Sequence, residues 1–146
     1  MTAEFILTLQ AQNPGARLEF RAGAAWLEAD GLDVVGMAQY LRGLPARLST
    51  ISAVARVDGE TDIIYHYTFG QDAVNVKTRT RGNAIPSITP ECPAAGWIER
   101  EIHDLFAVDF VGHPNLARLV LPDGIEPGFF REPKGPRPER NEPGAG

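Results

Sequence analysis

Glu99, Arg100, Glu101, His103 and Asp104 stand almost side by side, and Gly112-His113-Pro114 follows shortly after. Two kinds of chemistry are open to such a cluster. In the first, His103-Asp104, His113 and His66 bind a divalent ion and Glu99 or Glu101 acts as general base, the arrangement of a small metal-dependent hydrolase. The spacing speaks against it: His103 and Asp104 are adjacent and so point about 100° apart on a helix, and His113 lies beyond a turn. In the second, the cluster is a docking ridge whose charges are paired by a partner, because desolvating them unpaired is costly. A plainer reading is a solvated face with Glu99 and Glu101 near a helix start, where the macrodipole favours them.

The element that must position the cluster is a helix beginning near Ala94 or Ala95. Ile98, Ile102, Leu105 and Phe106 recur at i, i+4, i+7 and i+8 and predict one apolar stripe against a core. Glu99 and His103, and Arg100 and Asp104, are then i,i+4 pairs on the opposite face, each contributing only about 0.2–0.5 kcal/mol. That is too little for helix stability alone to account for the cluster. Gly112-His113-Pro114 has its own plain reading, a turn in which His113 satisfies nearby carbonyls.

Upstream, Ile51, Ala53, Ala55 and Val57 precede Asp58-Gly59, and Ile63, Tyr65, Tyr67 and Phe69 follow it. This predicts a hairpin, since Asp-Gly readily takes positive φ. Val74, Val76, Thr78 and Thr80 extend it to three strands with one dry and one wet face, and alternation puts His66 on the wet one. Asp33 is a predicted N-cap for a helix with Val34, Met37, Ala38 and Leu41 on one side, stopped at Gly43 and Pro45. Leu18, Phe20 and Trp26-Leu27 suggest an earlier strand or hairpin, and Phe5 to Leu9 an edge strand. Pro86, Pro90, Pro93 and Gly96 punctuate a loop, Thr89-Pro90 is a candidate opening of a single helical turn, and Val108, Phe110 and Val111 suggest a last short strand.

The fold class expected is a two-layer α+β domain over residues 1–122, helices packed on one face of a mixed, mainly antiparallel sheet. Residues 123–146, with Phe129-Phe130 as candidate partner anchors, read as an extended or disordered Pro/Gly-rich tail. At 146 residues one domain is expected, burying about 68–70% of its unfolded surface. Hydrophobic residues make up 43% of the chain, in runs far short of the roughly 20 needed for a bilayer span. The N-terminal residues lack a basic, apolar leader pattern, so a cytoplasmic location is expected. A net charge of −5 with scattered basic residues argues against nucleic acid. Cys92, the one cysteine, excludes an internal disulfide or an iron-sulfur cluster ligated by this chain's cysteines alone, and its neighbours Glu91 and Pro93 do nothing to activate it.

Ile85-Pro86-Ser87-Ile88-Thr89 leads through Trp97 to Glu99-Arg100-Glu101-Ile102-His103-Asp104-Leu105-Phe106, then to Gly112-His113-Pro114-Asn115-Leu116 and Arg118-Leu119-Val120-Leu121-Pro122-Asp123. On these residues, from about Thr50 to Asp123, the chain resembles the thirty-kilodalton subunit of the respiratory complex I family of NADH dehydrogenases. It equally resembles the related subunit of membrane-bound nickel-iron hydrogenases. The resemblance implies a cofactor-free structural subunit of a peripheral arm, associated with the inner face of the membrane through its complex. It implies docking on the large, hydrogenase-like catalytic subunit near the quinone and iron-sulfur region. The implied docking residues are Glu99, Arg100, Glu101, Asp104, His113, Pro114 and Arg118, and no catalytic, cofactor or metal-binding residue is carried over. Iron-sulfur clusters, and a flavin or nickel-iron centre, are implied for other subunits. The family usually has glycine where Ala107 stands, a basic residue where Ala117 stands, and a different tail after Pro122-Asp123. His103 leans toward the hydrogenase branch.

Overall fold

Alternating apolar residues on β4 (Thr61–Phe69) place Ile63, Tyr65, Tyr67 and Phe69 in the core, all nearly inaccessible to solvent. In the computed structural model, which describes residues 2–116 and Gly128, this strand lies between β3 (Arg47–Ala55) and β5 (Asp72–Arg79), antiparallel to both. β1 (Arg17–Arg21) and β2 (Ala24–Glu28) form a second hairpin, and β2 joins β5 in parallel, giving the order β1-β2-β5-β4-β3. One parallel pair among four makes the sheet mixed and mainly antiparallel, as the sequence pattern predicts. Gly59, at φ 92°, takes the positive φ that the Asp58-Gly59 turn requires. Val57 does not continue the dry face; it sits in the turn, fully exposed.

Helix α2 (Val34–Arg42) starts where expected: the Asp33 carboxylate accepts the Gly36 amide at 3.0 Å, and Val34, Met37, Ala38 and Leu41 are buried. The predicted edge strand at Phe5–Leu9 is instead part of helix α1 (Thr2–Gln12). A run of five apolar or β-branched residues fits either period. Burial of Phe5, Ile6 and Leu9, with Leu7 64% exposed, is a helical pattern and would be wrong for alternation. The Phe5 ring stacks on Tyr40 at 6.1 Å and meets Phe69 at 5.1 Å, which fixes α1 beside α2 on the dry face.

β6 (Ala84–Pro86), which the prolines of this loop conceal, pairs in parallel with β7 (Asp109–Val111). Between them come a 3-10 turn at Pro93–Ala95, three residues beyond the Thr89-Pro90 opening expected, and helix α3 (Gly96–Phe106). Helix α3 and the 3-10 turn lie against β3, so the layer of helices covers one side of the sheet. The 122/123 boundary and the character of the tail fall outside the described residues.

Candidate docking surface

Helix α3 buries a charge at the centre of its inner face. Ala95, Glu99 and Ile102 are within about a twentieth of full burial, while Ile98, Leu105 and Phe106 of the predicted stripe are only half-buried. Glu99 is fully buried, and its carboxylate accepts the Ser87 hydroxyl at 2.6 Å, the Ile88 amide at 3.1 Å and the Thr89 hydroxyl. Three donors on one carboxylate are what allow it to leave water. In the core nearby, burial and then the Glu99 charge push the Tyr65 phenol far above its usual range. The expectation that Glu99 stands on an exposed face and meets His103 is therefore wrong. Asp104 is likewise buried, against the same expectation, and its carbonyl accepts the Gly128 amide at 2.8 Å. Side-chain chemistry on α3 is decided by what the Ser87-Ile88-Thr89 segment offers, and local helical spacing cannot register that.

The histidines are committed locally. His103 donates from Nδ1 to the Val108 carbonyl at 2.8 Å. His113 donates from Nε2 to the Gly96 carbonyl at 3.0 Å and accepts the Asn115 amide on Nδ1 at 2.9 Å, so both ring nitrogens are occupied. His66, expected in solvent, is half-buried between Ser52 at 2.8 Å and Asn75 at 2.6 Å, with its ring edge-on to Trp26 at 6.4 Å. These bonds leave the hydrolase reading without a convergent ligand set: among the described residues no three His, Cys, Asp or Glu side chains group to hold a metal. Cys92 is a half-buried thiol in the turn before α3.

A second set of bonds holds the other end of the helix. Asn83 donates from Nδ2 to the Phe106 carbonyl at 3.1 Å and to the Ala107 carbonyl at 2.9 Å. Asn83 is itself fixed by the Glu60 carboxylate, which accepts its amide at 3.0 Å, the Gly82 amide at 2.8 Å and the Thr80 hydroxyl at 2.6 Å. The Thr80 hydroxyl, aided by the Asn83 and Gly82 amides, holds the Glu60 carboxyl below its usual range. Ala107 ends α3 at φ 57°, a left-handed position that favours glycine, the residue the resemblance leads one to expect there. Ser87 and Thr89 are visible in the sequence only as part of the motif that carries the resemblance, and Asn83 lies outside it. Gly82-Asn83 is readable as a turn, but the reach of Asn83 to a helix end more than twenty residues on is not.

What faces outward is a small ridge. Trp97 is 70% exposed with the Arg100 guanidinium over its ring, 5.8 Å from the centroid. Glu101 and Pro114 are exposed and Val111 is 56% exposed, while the His113–Gly96 bond draws the Pro114 turn to the helix start. An exposed tryptophan stacked with an arginine, framed by charge, is the composition of an interface anchor. The helix has no side-chain N-cap, so its placement rests on these tertiary bonds. Arg118, the remaining predicted docking residue, lies outside the described residues.

Comparison with known proteins agrees with the resemblance read from the motifs. The C subunit of the NADH-quinone oxidoreductase of Methylorubrum extorquens is 34% identical over 113 residues, 71% of this chain and 52% of the relative. A 39-residue stretch is 59% identical to the combined C/D subunit of the NADH-quinone oxidoreductase of Methylococcus capsulatus, covering 27% of this chain and 7% of that one. The chain thus spans about half the length of the curated C-type relatives it matches. Among solved structures, a chain of an archaeal respiratory membrane complex, the membrane-bound sulfane sulfur reductase, superposes with a TM-score of 0.71 at 22% identity, over 88% of this chain and 81% of that one. The trypsin-resistant fragment of Nqo5 superposes with a TM-score of 0.64, also at 22% identity, over 80% of this chain and all of the fragment. Those two establish the fold. Residues 23–133 match the family described as the 30 kDa subunit of respiratory-chain NADH dehydrogenase, and the chain belongs to that family.

Proposed function

We propose that this chain is a structural subunit of the peripheral arm of a complex I-type NADH:quinone oxidoreductase, docking through the α3 ridge on the large hydrogenase-like subunit. The observation that carries the reading is the exposed Trp97, with the half-buried Arg100 guanidinium over its ring, presented by a helix held at both ends, in a chain of this family. The relative whose name joins C and D in one polypeptide supports a D-type subunit as the neighbour. The redox groups, iron-sulfur clusters and flavin, belong in this reading to other subunits, and this chain contributes shape and paired charge. Within the ridge Trp97, Arg100, Glu101 and Pro114 make the contacts, and Glu99 and His113 support them from inside.

Membrane association in this reading comes through the complex, on the cytoplasmic side; no helix among the described residues is long and apolar enough to cross a bilayer. The equivalent subunit of a membrane-bound nickel-iron hydrogenase is the second reading. It is favoured by the occurrence of the same fold in a different respiratory membrane complex, whereas the names of the sequence relatives favour the first.

The test is binding of the full chain to the co-expressed large subunit of its own complex. Trp97→Ala should weaken binding at least tenfold, about 1.4 kcal/mol, while the isolated chain melts within about 0.5 kcal/mol of wild type. Binding at full strength by that variant would remove the ridge from the interface.

A further inference from the structure

We propose that Glu99 and Thr89 are positioning residues for the α3 ridge: they do not touch the partner, and they set how often the ridge is in the geometry the partner accepts. This rests on the docking reading above and adds to it a mechanism and a different pair of residues. Glu99 is sealed from solvent on the helix that presents Trp97 and Arg100, and the hydrogen bonds of its carboxylate run inward, to Ser87, Ile88 and Thr89. A methyl group built on Gly96 would lie 3.4 Å from the Thr89 methyl, an ordinary contact distance, so Thr89 and the helix start are neighbours. The Gly96 carbonyl is in turn held by His113. Trp97, the next residue, is thereby fixed from the Thr89 side and from the Pro114 turn.

An eleven-residue helix without a side-chain cap has little stability of its own, so its placement follows these bonds. Glutamine at position 99 keeps the size of the side chain but brings an NH2 group toward donors that need an acceptor. Helix α3 then divides its time among several placements, and the partner binds only the fraction with the ridge in register. The apparent affinity falls by that fraction, and the loss appears in the association rate, because a complex once formed contains the same contacts. Loss of a true contact residue acts mainly on dissociation.

Binding kinetics of the full chain on the immobilised large subunit separate the two. Glu99→Gln and Thr89→Val should each slow association about fivefold or more, with dissociation within about twofold of wild type. Thr89→Ser, which keeps the hydroxyl, should restore association, and Trp97→Ala should instead speed dissociation. Faster dissociation of Glu99→Gln with unchanged association would make Glu99 a contact and overturn the proposal. Wild-type rates for both variants would overturn it too, by reducing the bonds to fold stability alone. Should Glu99→Gln fail to fold, Thr89→Val and Thr89→Ser decide the matter. Absence of binding by the wild-type chain is a separate result, and it sinks the docking reading itself.

Discussion

On the open face of the sheet, Asp62 lies between Arg56 at 3.0 Å and Lys77 at 3.7 Å, with Arg79 reaching Asp30 and Asp58 nearby. On α3, Glu99 is closed off from solvent and is met by two hydroxyls and a backbone amide. The two regions have similar residue types and opposite energetics. On the sheet face Asp62 is itself largely covered, with 14% of its side chain exposed, but Arg56, Lys77, Arg79, Asp30 and Asp58 keep about a third or more of theirs, so their pairing adds little and is screened by salt. The Glu99 carboxylate has given up its hydration, so its bonds offset a large penalty and their loss is expensive. Charge density in a sequence therefore does not indicate where charge matters; burial does.

Four variants sharpen or break that contrast. Glu99→Leu leaves the Ser87 and Thr89 hydroxyls and the Ile88 amide without their acceptor and should destabilise the chain by about 3 kcal/mol in urea melts. Adding Thr89→Val to it should recover part of the loss, since removing both partners of a bond costs less than removing one. A cost below that of a surface change would mean the α3 carboxylate is no different from its counterparts on the sheet.

A smaller effect of opposite sign is expected at the end of the helix. Ala107 holds a left-handed conformation that costs an L-residue about 1–2 kcal/mol. Ala107→Gly should raise stability by about 0.5–1 kcal/mol, the relief being partly offset by the greater freedom of glycine in the unfolded chain. Thermal unfolding reads this directly, and a lower melting temperature would show that Asn83 holds the alanine there without strain. The smallest effect belongs to the sheet: Lys77→Met should change stability by less than about 0.5 kcal/mol and reduce its dependence on salt. A loss of several times that size would mean that the open-face ions act as a buried network.

Much of the fold is legible in the sequence because the signals are local. Asp33 capping α2, the Asp58-Gly59 turn, and the alternation of Ile63, Tyr65, Tyr67 and Phe69 each depend on residues a few positions apart. The Phe5–Leu9 run reads wrongly as a strand because five consecutive apolar or β-branched residues satisfy both periods, and the rings of Tyr40 and Phe69 select the helix. β6 is hidden because its partner, β7, is more than twenty residues away in sequence. The motif around Glu99–Phe106 identifies the family from order and spacing alone, yet misplaces its most important side chain.

From the sequence by itself follow the fold class, the helix that carries the ridge, and the family, because period, caps, turns and motif spacing are properties of neighbours along the chain. Tertiary structure decided that Glu99 and Asp104 turn inward, that His66, His103 and His113 each hydrogen-bond within the fold, and that Trp97 faces out with Arg100 over its ring. The physical reason is desolvation. Whether a charge can be buried depends on donors brought to it from distant segments, here Ser87 to Thr89, and no pattern within the helix records their arrival.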